Sequence, residues 1–254
     1  MTGSVRDDAR QHLIDYYSRN GGRDFDIAVR ISRKFMLNNF TKDDLVAVGH
    51  LSVRARPEFE EWLLSEEGQQ ETMALLKEIP STLRLEDVDP AELANLFGQC
   101  SPVYKLSNLF VDHLRGTDQP LRWGIRVLAI KLIALKRQLL VPMADTYVRD
   151  ELHLTWDNSW YRLWVILRDP EISAALESVR AEAVKALCET EVHESYITAL
   201  DELPLVRVLD VIGWEGGKLK KRSKPHERRC PKPRGARSPA PAAATNLAEV
   251  TPSV

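Results

Sequence analysis

The segment from Arg122 to Val148 holds the side chains best suited to chemistry. One carboxylate, Asp145, follows Pro142 at a predicted helix start, and the helix before it carries four cationic residues, Arg126, Lys131, Lys136 and Arg137. A helix N-terminus favours bound phosphate and keeps an Asp there ionised. We therefore interpret Asp145 and the four cations as a candidate site for nucleic acid or another ligand.

The same residues allow a structural interpretation. Asp145 could be an N-cap and nothing more, and the basic side chains could form a solvated helix face. Arg207 raises a similar question, because it lies on a predicted closing helix three residues before Asp210. The two side chains could pair with each other, or Arg207 could reach the site that Asp145 occupies.

No complete catalytic motif accompanies these residues. The sequence lacks the motifs of serine hydrolases, P-loop NTPases and Rossmann enzymes, which favours a non-enzyme without deciding the matter. Its six histidines show no paired spacing and its three cysteines lie far apart, so we expect no metal and no cofactor. Trp156, Trp160 and Trp164 recur every four residues, which is typical of core packing, although a stacking platform for bases has the same pattern.

The net charge of −2 hides an uneven distribution. From Lys218 to Val254 there are ten Lys or Arg and two acids, a net charge of +8, whereas the first 217 residues have a net charge of −10. Gly216 and Gly217 are predicted helix breakers, and apolar periodicity ends near residue 217. We therefore expect a single domain at residues 1–216 and a disordered basic tail at 217–254. Such a tail contacts polyanions weakly and without sequence preference, or serves to keep a chain soluble.

The residues before the tail predict helices throughout. Asp89-Pro90 and Ser101-Pro102 are typical helix starts, and Thr41 followed by Asp44 has the shape of a capping box. We expect an all-α fold, a single irregular domain of about ten to twelve short helices, which is too many for a four-helix bundle. The predicted helices lie near 8–19, 24–37, 42–51, 57–66, 69–78, 90–97, 102–115, 121–138, 143–153, 156–168, 171–188 and 204–213.

The sequence also predicts the cellular location of the protein. The longest apolar runs, such as 127–135, are too short to span a bilayer, and the first residues contain no apolar secretory segment. Because the cysteines are widely spaced and match no disulfide framework, we expect a cytoplasmic protein with no membrane partner.

Four blocks of sequence carry a resemblance to a known family. They stand in order at residues 43–53 (DDLxAVxxLSV), 75–80 (LLxxIP), 131–148 (KLxAxKR followed by PxxDxxV) and 205–214 (LVRVLDVxxW). Together they resemble an uncharacterised bacterial family of all-helical domains of unknown function. The resemblance covers most of residues 40 to 214 and implies no activity.

A shorter stretch, PMADTYVR at residues 142–149, resembles the helix-hairpin-helix DNA glycosylase superfamily. This resemblance implies that Asp145 is the glycosylase carboxylate, which stabilises an oxocarbenium-like sugar and orients water after the base has left the stack. Val127 stands where bifunctional members carry a Schiff-base lysine, so a lyase route through that residue is not supported, whereas monofunctional members lack that lysine. Gly124 is the only glycine within 121–127, which departs from the glycine-rich hairpin.

Three functional hypotheses follow. The first is a diverged glycosylase-like domain that contacts nucleic acid through residues 122–149 and the basic tail, without catalysis. The second is a non-enzymatic interaction or regulatory domain with a protein partner, suggested by the acidic body. The third is a monofunctional base-excision enzyme that uses Asp145.

Overall fold

The computed structural model describes residues 3–19, 22–115, 123–155 and 159–223. These residues form thirteen α-helices and one 3₁₀ turn at Leu85–Asp87, with no β-strand among them, so the predicted all-α fold is confirmed. The helices are α1 Gly3–Arg19, α2 Gly22–Phe35, α3 Lys42–Gly49, α4 Pro57–Leu64, α5 Glu66–Glu78, α6 Pro90–Phe97, α7 Pro102–Arg115, α8 Trp123–Lys136, α9 Thr146–Leu152, α10 Ser159–Arg168, α11 Pro170–Cys188, α12 Glu194–Asp201 and α13 Leu205–Ser223.

The helix starts follow the local signals in the sequence. Thr41 and Asp44 form a reciprocal capping box at α3, with the Thr41 N–H donating to Asp44 Oδ2 over 2.7 Å. Asp89 caps α6, where Pro90 occupies the first turn and needs no hydrogen-bond acceptor. These caps satisfy backbone N–H groups that have no partner within the helix, which fixes where each helix begins.

The interior is one continuous apolar core to which all thirteen helices contribute or pack. α8 lies at its centre and packs against α2, α3 and α7, while α13 packs against α1, α9 and α11. Trp164 is buried and donates its indole N–H to the Val88 carbonyl, and Trp160 stacks on Phe97 with ring centroids 4.6 Å apart. The two tryptophans therefore pack as predicted, whereas Trp156 lies outside the described residues.

Two sequence predictions need correction. The helix α12 was not predicted at all, and α13 continues through Gly216 and Gly217, which the sequence suggested as helix breakers, as far as Ser223. Residues 217–223 therefore belong to a helix of the domain and not to the tail, whose remaining residues 224–254 lie outside the described part of the chain. The reason is close packing, since a Cβ on Gly217 would lie 2.5 Å from the Tyr147 carbonyl oxygen of α9.

No helix in the described residues is both long enough and apolar enough to cross a bilayer.

The close approach of α13 to α9 makes a testable prediction. Gly217→Ala should lower the free energy of unfolding by about 1–3 kcal/mol, because the added methyl group must push the two helices apart. Gly49→Ala is the matched control, since no described atom lies within 4 Å of the position of its Cβ. We expect the control to be neutral or more stable by up to about 1 kcal/mol in urea denaturation. Equal effects of the two substitutions would contradict the packing explanation.

Candidate functional site

Three of the predicted site residues, Lys131, Asp145 and Arg207, line one small cleft. The cleft has a volume of about 50 Å³ and lies where α1, α8, α9, α13 and the turn after α3 meet. We call it the central cleft. Its other walls include Tyr16, His50, Leu51, Ser52, Met143, Val148, Asp210 and Trp214. Three of the four blocks of the family resemblance therefore contribute residues to the central cleft, namely those at 43–53, 131–148 and 205–214.

Asp145 caps its helix and faces the central cleft at the same time. Its Oδ1 accepts hydrogen bonds from the N–H groups of Tyr147 (2.9 Å) and Val148 (3.3 Å) at the start of α9. Its Oδ2 lies 3.8 Å from Lys131 Nζ, and 13% of its side chain is exposed. The structural and functional interpretations of Asp145 are thus compatible, because each uses a different carboxylate oxygen.

Lys131 projects from α8 into the wall of the central cleft. Its Nζ donates to the Leu51 carbonyl over 3.1 Å. Burial lowers the pKa of Lys131, an effect that the nearby Asp145 carboxylate partly opposes. The turn that offers the Leu51 carbonyl holds Ser52 at a φ of 61°, a left-handed conformation that is strained for a residue with a side chain. The backbone is therefore held in an unfavourable conformation at the rim of the cleft.

Arg207 is buried and anchored by α1 and α2. Its Nε donates to Asp26 Oδ1 over 2.9 Å and its NH2 donates to the Tyr16 hydroxyl over 2.7 Å, while Tyr17 donates to Asp26 Oδ2. Burial by itself lowers the pKa of Arg207, but Asp26, Tyr16 and Asp210 together raise it above its ordinary value. Arg207 thus hydrogen-bonds Asp26 instead of the Asp210 partner that the sequence suggested, and it reaches the cleft that Asp145 lines.

Asp210 is the site residue that the sequence analysis did not single out. Its side chain is buried, and its Oδ2 accepts a hydrogen bond from the Met143 N–H over 2.7 Å. Its Oδ1 is also buried but has no hydrogen-bond partner among the described residues. Burial raises the pKa of Asp210 to about 7, against the opposing effect of Arg207. The signal in the sequence was its position one turn after Arg207 on the same helix face.

Lys136 does not reach the central cleft. Its ammonium group is 2.6 Å from Asp44 Oδ2 and also donates to Ser32 Oγ and the Met36 carbonyl. The whole residue is 2% exposed. Burial lowers the pKa of Lys136, with Asp44 opposing. The structure therefore gives this lysine a role in joining α8 to α2 and α3, in place of the ligand contact that the sequence suggested.

Arg137 is likewise internal, with 1% of its surface exposed. Its guanidinium donates to the Asn38 side chain and to four backbone carbonyls, those of Leu37, Leu76, Ile79 and Lys136. These carbonyls lie at or just beyond the C-terminal ends of α2, α5 and α8, where helix dipoles concentrate negative charge. Burial lowers the pKa of Arg137 to about 10. A fully enclosed guanidinium offers nothing to an external ligand, so Arg137 is corrected to a structural residue.

Arg126 is exposed and lies on the other side of the extended segment that follows α8. It lines a second cavity of about 350 Å³ together with Tyr104, Ser107 and Asn108. Pro142 and Ala144 face this second cavity, whereas Met143 and Asp145 face the central cleft. The alternation along an extended chain thus separates Arg126 from the other predicted site residues.

These features define an all-helical domain with a small cleft lined by residues of α1, α8, α9, α13 and the turn after α3. The chain belongs to a family of unknown function (DUF6308), whose sequence profile matches residues 9–217. No protein of curated function and no solved structure matches the chain. The glycosylase resemblance stays a prediction, and part of its hairpin falls on residues 116–122, which the structure does not describe.

The two carboxylates of the central cleft differ in their surroundings. Asp145 accepts two backbone N–H hydrogen bonds and lies 3.8 Å from Lys131 Nζ, whereas Asp210 is buried and burial raises its pKa to about 7. Carboxyl groups held in different surroundings within one site can supply an acid and a base. Among the described residues, no group of three or more His, Cys, Asp or Glu side chains is arranged to hold a metal ion.

The raised pKa of Asp210 predicts a specific pH dependence of stability. An unfolded Asp has a pKa near 3.9, so between about pH 4 and 7 the folded state holds this proton more tightly than the unfolded state does. The contribution of Asp210 to stability is fully present below that range and is lost as the pH rises through 7. Asp210→Asn has no carboxyl group at this position, so the variant does not lose this stability as the pH rises. Its free energy of unfolding relative to wild type should therefore rise by about 2–3 kcal/mol between pH 5 and pH 8 in urea denaturation. A difference that stays constant with pH would show that Asp210 has an ordinary pKa.

Proposed function

We propose that this protein contacts nucleic acid through the basic end of α13 and the basic segment that follows it, with the central cleft beside the contact surface. The basic end of α13 comprises Lys218, Lys220, Lys221 and Arg222. Phosphate contacts by such residues supply most of the affinity in sequence-independent binding.

The observation that supports this proposal is the continuity of α13. Arg207, Asp210 and Trp214 line the central cleft, and the same helix then carries the basic residues without interruption. Lys218 Nζ lies 4.3 Å from the ring centroid of Trp214, so the basic end begins at the edge of the cleft. At about 1.5 Å of rise per residue, Arg222 lies roughly 12 Å along the helix from Trp214. A polyanion bound there would pass close to the cleft.

The buried cations of the domain are excluded from the proposed contact surface. Lys131, Lys136, Arg137 and Arg207 are all at least 94% buried, so they cannot form a face for a nucleic-acid backbone. Arg126 is exposed and remains a candidate contact of its own. Two exposed free cysteines, Cys100 and Cys188, fit the reducing cytoplasm that we propose as the setting.

Salt-dependent binding tests the proposal. Log Kobs for duplex DNA falls as log salt concentration rises. Replacing Lys220, Lys221 and Arg222 by Gln should make this negative slope shallower by about 2–3, because each lost phosphate contact contributes about 0.9. The matched control replaces three exposed lysines of other helices, Lys42, Lys77 and Lys185, by Gln and should leave the slope unchanged. Equal slopes for the two variants, or no salt-dependent binding by the wild-type protein, would contradict the proposal. The latter result would favour the interaction-domain hypothesis with a protein partner.

A second candidate function is base excision by Asp145. The supporting observation is that Asp145 shares the central cleft with Lys131, Arg207 and the protonatable Asp210. Enzymes that break glycosidic bonds also use two carboxyl groups in one site. The cleft of about 50 Å³ is smaller than the roughly 300 Å³ typical of ligand pockets, so a flipped base would require its rim to open. This is why we place catalysis second to binding.

Duplexes that each carry one damaged or mismatched base test this candidate. Wild-type protein should release the base, and Asp145→Asn should reduce the rate by about 100-fold or more, in line with the loss of a general base. Asn keeps an oxygen that can cap α9, so the fold should survive the change. Thermal unfolding of both proteins checks that point. Equal product from both proteins would remove Asp145 from the reaction.

A further inference from the structure

We propose that the central cleft is a binding site for an alkylammonium group, the protonated end of a primary amine, with Asp210 Oδ1 as its principal acceptor. The proposal is independent of nucleic-acid contact, because it concerns the interior of the cleft and not the basic end of α13.

The first support is the unpaired oxygen of Asp210. A buried carboxylate oxygen normally has a hydrogen-bond partner, and leaving one without a donor is costly. Asp210 lines the cleft, and its Oδ2 accepts a hydrogen bond from the Met143 N–H. Its Oδ1 is buried and has no partner among the described residues. The site therefore lacks a hydrogen-bond donor. An ammonium group supplies three donors and no acceptor.

The second support is the balance of charge around the cleft. Arg207 is already neutralised by Asp26, and Lys131 already faces Asp145 and the Leu51 carbonyl. Asp210 is the carboxylate left without a cation of its own among these groups. With Asp210 ionised, the two cations (Arg207 and Lys131) and the three carboxylates (Asp26, Asp145 and Asp210) carry a net charge of −1. One bound cation would neutralise this charge. A bound anion would instead meet three carboxylates in a buried space.

The third support is size. A cavity needs about 10–15 Å³ for each water-sized group that it holds, so about 50 Å³ accommodates roughly three to five such groups. An ammonium group with one or two carbons fits this space. His50 and Ser52 are the exposed residues of the lining, so the rest of an alkyl chain would leave the cleft past the turn that carries them.

Binding should depend on pH because the amine needs the ionised form of Asp210. Burial raises the pKa of Asp210 to about 7. The proton therefore competes with the amine, and affinity should increase about tenfold between pH 6 and pH 8. The charged and titratable groups around Asp210 are Arg207 on α13, Lys131 on α8, Asp145 before α9, Asp26 on α2, Tyr16 on α1 and His50 after α3. His50 also lines the cleft, so a variant must separate its effect on binding from that of Asp210.

The test uses the full-length protein and follows its ¹H–¹⁵N NMR spectrum as methylammonium chloride is added. We expect saturable shifts of the Met143, Asp210 and Trp214 signals at millimolar concentrations, as a ligand of two heavy atoms allows. Tetramethylammonium has the same charge without N–H donors, and it should not produce these shifts. Nα-acetyl-lysine methylamide, compared with butylammonium, shows whether the natural source of the ammonium group is a lysine side chain or a free amine.

Two variants complete the test. Asp210→Asn should weaken methylammonium binding at least tenfold at pH 8 and abolish its pH dependence, while Asp201→Asn, an exposed carboxylate at the end of α12, should change neither. If Asp210→Asn does not fold, His50→Gln decides, because the tenfold pH effect must persist in a variant that has lost another titratable group of the lining. Three outcomes would overturn the proposal. They are no saturable binding of methylammonium, tighter binding at pH 6 than at pH 8, or saturable binding of acetate with the same shifts.

Discussion

The structure depends on how four cationic side chains are kept away from water. Lys131, Lys136, Arg137 and Arg207 lie on or just after the two helices at the centre of the fold, and each is at least 94% buried. A buried charge is unfavourable by several kcal/mol unless acceptors are already in place around it. Each cation therefore requires particular carbonyls or carboxylates at fixed positions, and those requirements join distant parts of the chain.

The partners show how this constraint organises the helices. Asp44 holds Lys136 across 92 residues of sequence, and Asp26 holds Arg207 across 181. Among the described residues, Arg137 has no carboxylate as a hydrogen-bond partner, and carbonyls at the ends of three helices stabilise its charge. These bonds fix α2, α3, α5, α8 and α13 relative to one another. The central cleft lies where α8 and α13 of this framework meet α1, α9 and the turn after α3. Asp210 is the carboxylate of the cleft with an oxygen that has no hydrogen-bond partner among the described residues.

The sequence predicted the local structure well and the burial of charge poorly. Helix starts at Thr41, Asp89 and Pro102 could be recognised because caps act over a few residues. The cations of α8 resembled a solvated face, since the residues that neutralise them are far away in sequence and carry no local signal. Gly216 and Gly217 resembled breakers for the same reason, because their small size matters only against α1 and α9, which are distant in sequence. The convergence of Lys131, Asp145 and Arg207 was anticipated, but the role of Asp210 needed the position of Met143 and the burial of both carboxylate oxygens.

The central claim is that the buried ionic framework leaves one carboxylate, Asp210, without a full set of partners in the cleft. The most direct measurement is the pH titration of the Asp210 side-chain carboxyl carbon by ¹³C NMR in the full-length protein without added ligand. We expect a midpoint at about pH 7. A midpoint near the ordinary value of about 3.9 would mean that Asp210 is well solvated or fully paired, and it would contradict this description of the cleft.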